Sequence, residues 1–167
     1  KRRGDPSFED LVEMGYLPSA IVNYVALLGW SPGDDREFFT LDDLTQIFSM
    51  DRINKSSAAF SFDKLRWLNG EHIRALSSEA FHELALPLYP ETVKHLDLAK
   101  ISKLIQLRVE KLTEIPEFIS FLAQLPVYDK ALFESQKSKS TLESSLTILE
   151  ATLPLLERLE NWDNSNL

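Results

Sequence analysis

Apolar residues recur at helical spacing along most of this chain, and closely set Pro, Gly and capping residues cut that pattern into short pieces. Ile21, Tyr24, Val25 and Leu28 fall at i, i+3, i+4 and i+7, the stripe of an amphipathic helix. The alternation that marks a half-buried strand is scarce. Only Phe38-Phe39 and the stretch Asp51–Ala59 leave room for short extended pieces, and no internal repeat is visible. The expectation is an all-α, multihelical fold.

Local signals predict where the helices begin and end. Ser7, with Asp10 three residues on, opens Phe8–Met14, and Gly15 stops it. Pro18 suits the first turn of the next helix, and Gly29 ends it. Thr40 caps Leu41–Phe48. Ser61 caps Phe62–Leu68, which Asn69-Gly70 is expected to close; Glu71–Leu76 and Ser78–Leu86 follow as separate helices. After Pro90 the pattern lengthens. Val93, Leu96, Leu98, Ile101, Leu104, Ile105, Val109 and Leu112 predict one helix over Glu91–Leu112, roughly 30 Å at 1.5 Å per residue. Pro116 and Pro126 bracket a helix near Glu117–Leu125. The last helix spans about Thr141 to Asn161, with Pro154 expected to kink or split it. This change of character places a division within residues 76–90: a short mixed segment over 1–76, then a helical bundle over 77–167.

Several chemistries are excluded. The chain has no cysteine, so disulfide and thiolate chemistry is absent. His72, His82 and His95 lack the spacing of a helix-borne metal pair and read as surface or packing residues, so no metal site is expected. Asp34-Asp35 and Asp42-Asp43 read as turn and helix-start acids. There is no Gly-rich phosphate loop, and no apolar run approaches the roughly 18 residues of a membrane span, so no membrane partner is expected. A self-sufficient enzyme is not expected.

Charge argues against a simple nucleic-acid binder. The formal net charge is −8. Residues 1–75 hold nine basic and twelve acidic side chains, and residues 76–167 hold nine and fourteen. Any phosphate contact therefore needs a local basic face on an acidic body. Two clusters offer one. In Lys64-Leu65-Arg66-Trp67-Leu68-Asn69, with Arg74 close behind, a Trp among cations could stack on a base or sugar while the cations meet phosphates. Spacing alone better fits a core of Leu65, Trp67 and Leu68 with solvated charges. On the expected long helix, Lys100, Lys103, Arg108 and Lys111 form either an ordinary wet face or a basic stripe, in which an Arg could contact a base edge bidentately.

Resemblance shifts the balance. Gly15-Tyr16-Leu17-Pro18, Ala20, Asn23-Tyr24 and Leu27-Leu28-Gly29-Trp30-Ser31-Pro32 resemble a block of the glutamyl-tRNA synthetases, and Phe60 with Lys64-Leu65-Arg66-Trp67-Leu68-Asn69-Gly70 resembles a second. The likeness is strong over residues 1–75 and weaker beyond. It implies the tRNA-binding part of a class I aminoacyl-tRNA synthetase: a stem-contact region over 1–76, then an incomplete anticodon-binding helical domain over 77–167, with a further helical domain to follow. Lys1-Arg2 resembles the end of the family's signature loop, which would give Lys1 a place beside ATP phosphates. Carried over as tRNA contacts are Lys64, Trp67 and Arg74, with Arg52 and Arg66 beside them. The run Gln106–Glu114 resembles a stretch whose Arg reads an anticodon base, at Arg108 here. Ser61 stands where the family usually has Asp, and Ser57-Ala58 replaces its usual pair.

The resemblance implies no cofactor in this piece itself. The parent enzyme would join glutamate to tRNA(Glu) using ATP with Mg2+, as a monomer in a bacterial cytoplasm. Whether tRNA(Gln) is also a partner, and whether the compartment is an organelle, stay open. The alternative is a structural or protein-interaction bundle with no RNA contact.

Overall fold

A computed structural model describes residues 6–54 and 59–160. The chain divides into two compact units, Lys1–Gln124 and Leu125–Leu167. Helices dominate, as the periodicity predicts. Among the described residues, extended pairing is limited to the isolated bridges Trp30–Ile53 and Ser135–Ser140. Phe38-Phe39 therefore forms no strand.

Local capping works as read in the first helices. The Ser7 hydroxyl accepts from the Asp10 amide, and the Asp10 carboxylate accepts from the Ser7 amide, around α1 (Phe8–Glu13). Pro18 opens α2 (Pro18–Gly29). Thr40 and Asp43 repeat the reciprocal cap at α3 (Leu41–Ile47). Ser61 caps α4 (Phe62–Ala75), accepting from the Lys64 amide at 3.3 Å, while its own amide donates to Tyr24 Oη at 2.6 Å. Ser61 thus caps the helix as read from the sequence, and Ser57-Ala58 lies outside the described residues.

Two expected breaks are absent. Asn69-Gly70 does not close a helix, because α4 continues unbroken to Ala75. Asn69 usually ends helices by bonding its own backbone, but here its side chain is engaged elsewhere. Oδ1 accepts from the Leu17 amide at 2.7 Å, and Nδ2 donates to the Glu110 carbonyl at 2.5 Å. Gly70 gives the room for this approach: a Cβ there would meet the Arg74 guanidinium at 3.0 Å and Glu110 Cγ at 3.3 Å. Pro154 does not split the last helix either, which runs through it.

The expected long helix Glu91–Leu112 is, conversely, broken. After α5 (Ser78–Ala85), capped by Ser77, the chain makes 3₁₀ turns at Leu86–Leu88 and Glu91–Val93. Asp97 then starts a new helix, α6 (Leu98–Ile105), by accepting from the Lys100 amide at 3.0 Å. Beyond Ile105 the chain turns away. Gln106 Nε2 donates to the carbonyls of Ile73 (3.1 Å) and Leu76 (2.9 Å) at the end of α4. The apolar period persists through these breaks because Val93, Ile101, Ile105 and Val109 enter one core with Leu17, Ala20, Ile73, Phe81 and Ile115. The expected helix Glu117–Leu125 is two short ones, α7 (Ile115–Phe118) and α8 (Ser120–Ala123), with Pro116 in the first turn.

Gly15 joins the two ends of this unit. Its φ of +92° is a backbone conformation that side chains disfavour, and a Cβ would lie 2.7 Å from the Thr113 amide nitrogen. The space is used. Leu112 N–H donates to the Gly15 carbonyl at 3.0 Å, and Thr113 Oγ1 donates to the Met14 carbonyl at 2.9 Å.

The second unit holds a 3₁₀ turn (Lys130–Phe133), the Ser135–Ser140 bridge, and α9 (Leu142–Glu157). Thr141 and Ser144 form the reciprocal cap of α9, and Ser145 Oγ donates to the Phe133 carbonyl at 2.7 Å.

Candidate nucleic-acid interface

Helix α4 sorts the first cluster by face. Offsets of three, seven and ten residues put Trp67, Glu71 and Arg74 on the same side as Lys64. The core side carries Leu65, Leu68, Asn69, His72 and Ile73. Trp67 is therefore no core residue: its ring is 42% exposed and, among the described residues, stacks on no other ring. Cations flank it, each tied to an acid. Lys64 Nζ meets Glu37 Oε1 at 2.6 Å, and Arg74 Nη2 meets Glu71 Oε1 at 2.6 Å. The exposed Lys64–Glu37 pair contributes about 0–1 kcal/mol, so an arriving phosphate can exchange for its carboxylate at small cost, while the Arg74–Glu71 pair is partly buried.

Arg66 faces the other way. Its Nε donates to Glu110 Oε2 at 2.6 Å and its Nη2 to Glu114 Oε1 at 2.8 Å. The hydrogen bond to Glu110 is the largest influence holding this guanidinium's pKa above its ordinary value. Arg52 also has an internal partner. Its guanidinium donates to the Pro32 carbonyl and lies over Gly33, whose φ of +88° forms the turn after Trp30. Lys1 lies outside the described residues.

Arg108 stands apart. It follows α6 by three residues, its amide donates to the Ile105 carbonyl at 2.8 Å, and its side chain is exposed. No ion pair or side-chain hydrogen bond engages it among the described residues. Leu104 and Leu107 beside it are 64% and 69% exposed, so a free cation and apolar surface adjoin. The expected four-residue basic stripe is divided, because its helix is broken. Lys100 and Lys103 are on α6, whereas Lys111 opens the next 3₁₀ turn and approaches Glu114 at 3.8 Å.

The histidines do not gather. His72 is buried against Phe38, with ring centroids 4.6 Å apart, and its Nε2 lies 3.0 Å from Asn23 Oδ1. Asn23 also accepts from the Phe39 amide and donates to the Glu37 carbonyl. Its Oδ1 is thus an acceptor, and His72 must donate from Nε2. Burial lowers the His72 pKa and favours this neutral form. His82 Nδ1 meets Ser102 Oγ at 2.7 Å. No group of His, Cys, Asp and Glu able to hold a metal is present among the described residues, and no helix there is long and apolar enough to cross a membrane.

Sequence reading passed over Glu110 and Glu114, because a search for cations ignores acids. One signal was available. Lys111 and Glu114 have the three-residue spacing of a cap, and the Glu114 carboxylate does accept from the Lys111 amide at 3.2 Å.

A family model described as an anticodon binding domain matches residues 80–167. A second, described as the catalytic domain of class I tRNA synthetases (E and Q), matches residues 1–67. The chain is 51% identical over its whole length to a glutamate–tRNA ligase of Clostridium botulinum and 49% identical to one of Clostridium tetani. It spans 35% and 34% of their lengths respectively. Among solved structures, a glutamate tRNA ligase from Elizabethkingia meningosepticum, crystallised with its amino acid, aligns with a TM-score of 0.68 at 25% identity. That alignment covers 89% of this chain and 30% of the other. A glutamate-tRNA synthetase from Elizabethkingia anophelis gives 0.66 at 26%, over 89% and 29%.

Proposed function

The chain belongs to the family of anticodon binding domains, and on that premise we propose that it is the tRNA-binding part of a glutamate–tRNA ligase. Residues 1–76 contact the inner corner of the tRNA, and residues 77–167 serve the anticodon side. The observation that carries the reading is Arg108, an exposed cation with no partner among the described residues, within the segment matched as an anticodon binding domain. A planar guanidinium with free donors can bond a base edge bidentately. On α4, Trp67 offers a stacking face, and Lys64 and Arg74 exchange their carboxylates for phosphates. Arg66 and Arg52, exposed but each bonded to its own chain, join them more weakly.

The whole enzyme, of which this chain spans about a third by comparison with its relatives, activates glutamate with ATP and Mg2+ and transfers it to tRNA(Glu). In that enzyme Lys1 would serve, as the signature-loop resemblance implies, beside the ATP phosphates. The enzyme works as a monomer in a bacterial cytoplasm. The chain alone binds RNA but does not activate glutamate.

The test is a titration of this chain with a tRNA(Glu) transcript at about 50 and about 200 mM salt. Weak binding that falls with salt is the expected result. Lys64→Ala or Arg74→Ala should weaken binding to any tRNA and lower the salt slope by about one. Arg108→Ala should instead reduce the preference for an unaltered anticodon. A chain that ignores tRNA even at low salt would make it a protein-interaction bundle.

A further inference from the structure

The Arg108 guanidinium bonds nothing else among the described residues, so the backbone around it decides where it stands. Upstream, its amide and that of Val109 both donate to the Ile105 carbonyl, and the Val109 side chain is fully buried. Downstream, one carboxylate gathers the chain. Glu114 Oε2 accepts from the amides of Glu110 (3.1 Å) and Lys111 (3.2 Å), while its Oε1 accepts from Arg66 Nη2 (2.8 Å). Arg66 Nε meanwhile holds the Glu110 carboxylate at 2.6 Å, and Asn69 Nδ2 holds the Glu110 carbonyl. Residues 110–111 are thus pinned to α4, with Glu114 holding both of their amides and Arg66 and Asn69 holding Glu110.

We propose that Glu114 is a positioning residue for base recognition by Arg108: its carboxylate fixes the backbone of residues 110–111, just beyond Arg108, against Arg66 of α4 and so sets where the guanidinium points. This rests on the reading of Arg108 as a base contact. Bidentate recognition needs its donor fork held in place, and discrimination falls when the supporting shell loosens. An acid cannot attract a phosphate, and removing one from a chain of net charge −8 raises general attraction for RNA. Positioning and contact therefore predict opposite signs.

The experiment uses the full chain and tRNA(Glu) transcripts, one with the natural anticodon and others with each anticodon base singly replaced. Glu114→Ala is expected to lower the preference for the natural anticodon by about fivefold or more, the lower range of one bidentate base contact. Affinity for the replaced transcripts should stay the same or rise, and the salt slope should not fall. Glu114→Gln, whose amide oxygen can still accept from the backbone, should restore much of the preference. If Glu114→Ala keeps the full preference while Arg108→Ala loses it, Glu114 has no positioning role. If Arg108→Ala also keeps it, the base-contact reading itself fails. Should Glu114→Ala not fold, Glu114→Asp carries the same test through its shorter reach: a lowered preference supports the proposal, and an unchanged one overturns it.

Discussion

The two units of this chain solve the same problem differently. In Lys1–Gln124, helices shorter than fifteen residues are held by a shared core and by buried polar side chains that bond backbone far away in sequence. In Leu125–Leu167, no described residue is buried; α9 shows Ile148 and Leu155 at 62% and 63% exposure, and its side-chain bonds reach no further than from Ser145 to Phe133. Most helical stability in proteins comes from packing an apolar face rather than from propensity. Position along the chain predicts none of this, because both units carry the same leucine-rich period. Stability here comes from what an apolar face meets, not from how apolar it is.

The sharpest way to break the contrast is to cut side chains from each unit. Leu68, fully buried in α4, should cost about 2–5 kcal/mol as Leu68→Ala, read by urea unfolding. A loss below about 1 kcal/mol would mean the first unit is as loosely held as the second. Next in size is Asn69→Ala, which strands the Leu17 amide and the Glu110 carbonyl. About 2 kcal/mol is expected, with faster hydrogen exchange at the Leu17 amide.

A smaller effect is a pH dependence. Folding lowers the His72 pKa, so the unfolded chain takes up a proton first as acidity rises. The stability from a neutral, buried His72 is complete above its unfolded value of about 6.5 and is lost as pH falls through the lowered folded value. Thermal unfolding from pH 7.5 downward should therefore show a decline that His72→Gln flattens; an unchanged slope would remove His72 as its source. Smallest of all should be Leu153→Ala on α9, within about 0.5 kcal/mol. A larger cost would show that its face is already covered.

What the sequence made legible follows from distance along the chain. The caps at Ser7, Thr40 and Ser61 were readable because donor and acceptor lie three residues apart. Asn69-Gly70 misled because its partners, Leu17 and Glu110, lie 52 and 41 residues away. The break before α6 was hidden by a period that stays in phase with one core, although Asp97 was a cap in plain view. The candidate site divided likewise. Trp67, Lys64 and Arg74 share a face by helical spacing alone, whereas the pairing of Arg66 depends on two acids more than forty residues downstream.

The bonds between the Gly15 turn and Leu112-Thr113 close a loop of almost the whole first unit. Closing so long a loop costs chain entropy that grows only as the logarithm of its length, yet it delays the contact until most of the unit is ordered. The turn is therefore a late fastening, made after the local caps and only when both ends are present. Division between the two matched segments, anywhere within residues 70–80, would leave the later piece without Gly15, Leu17 and Asn69. Such a piece would keep Arg108 and lose the fastening beside it.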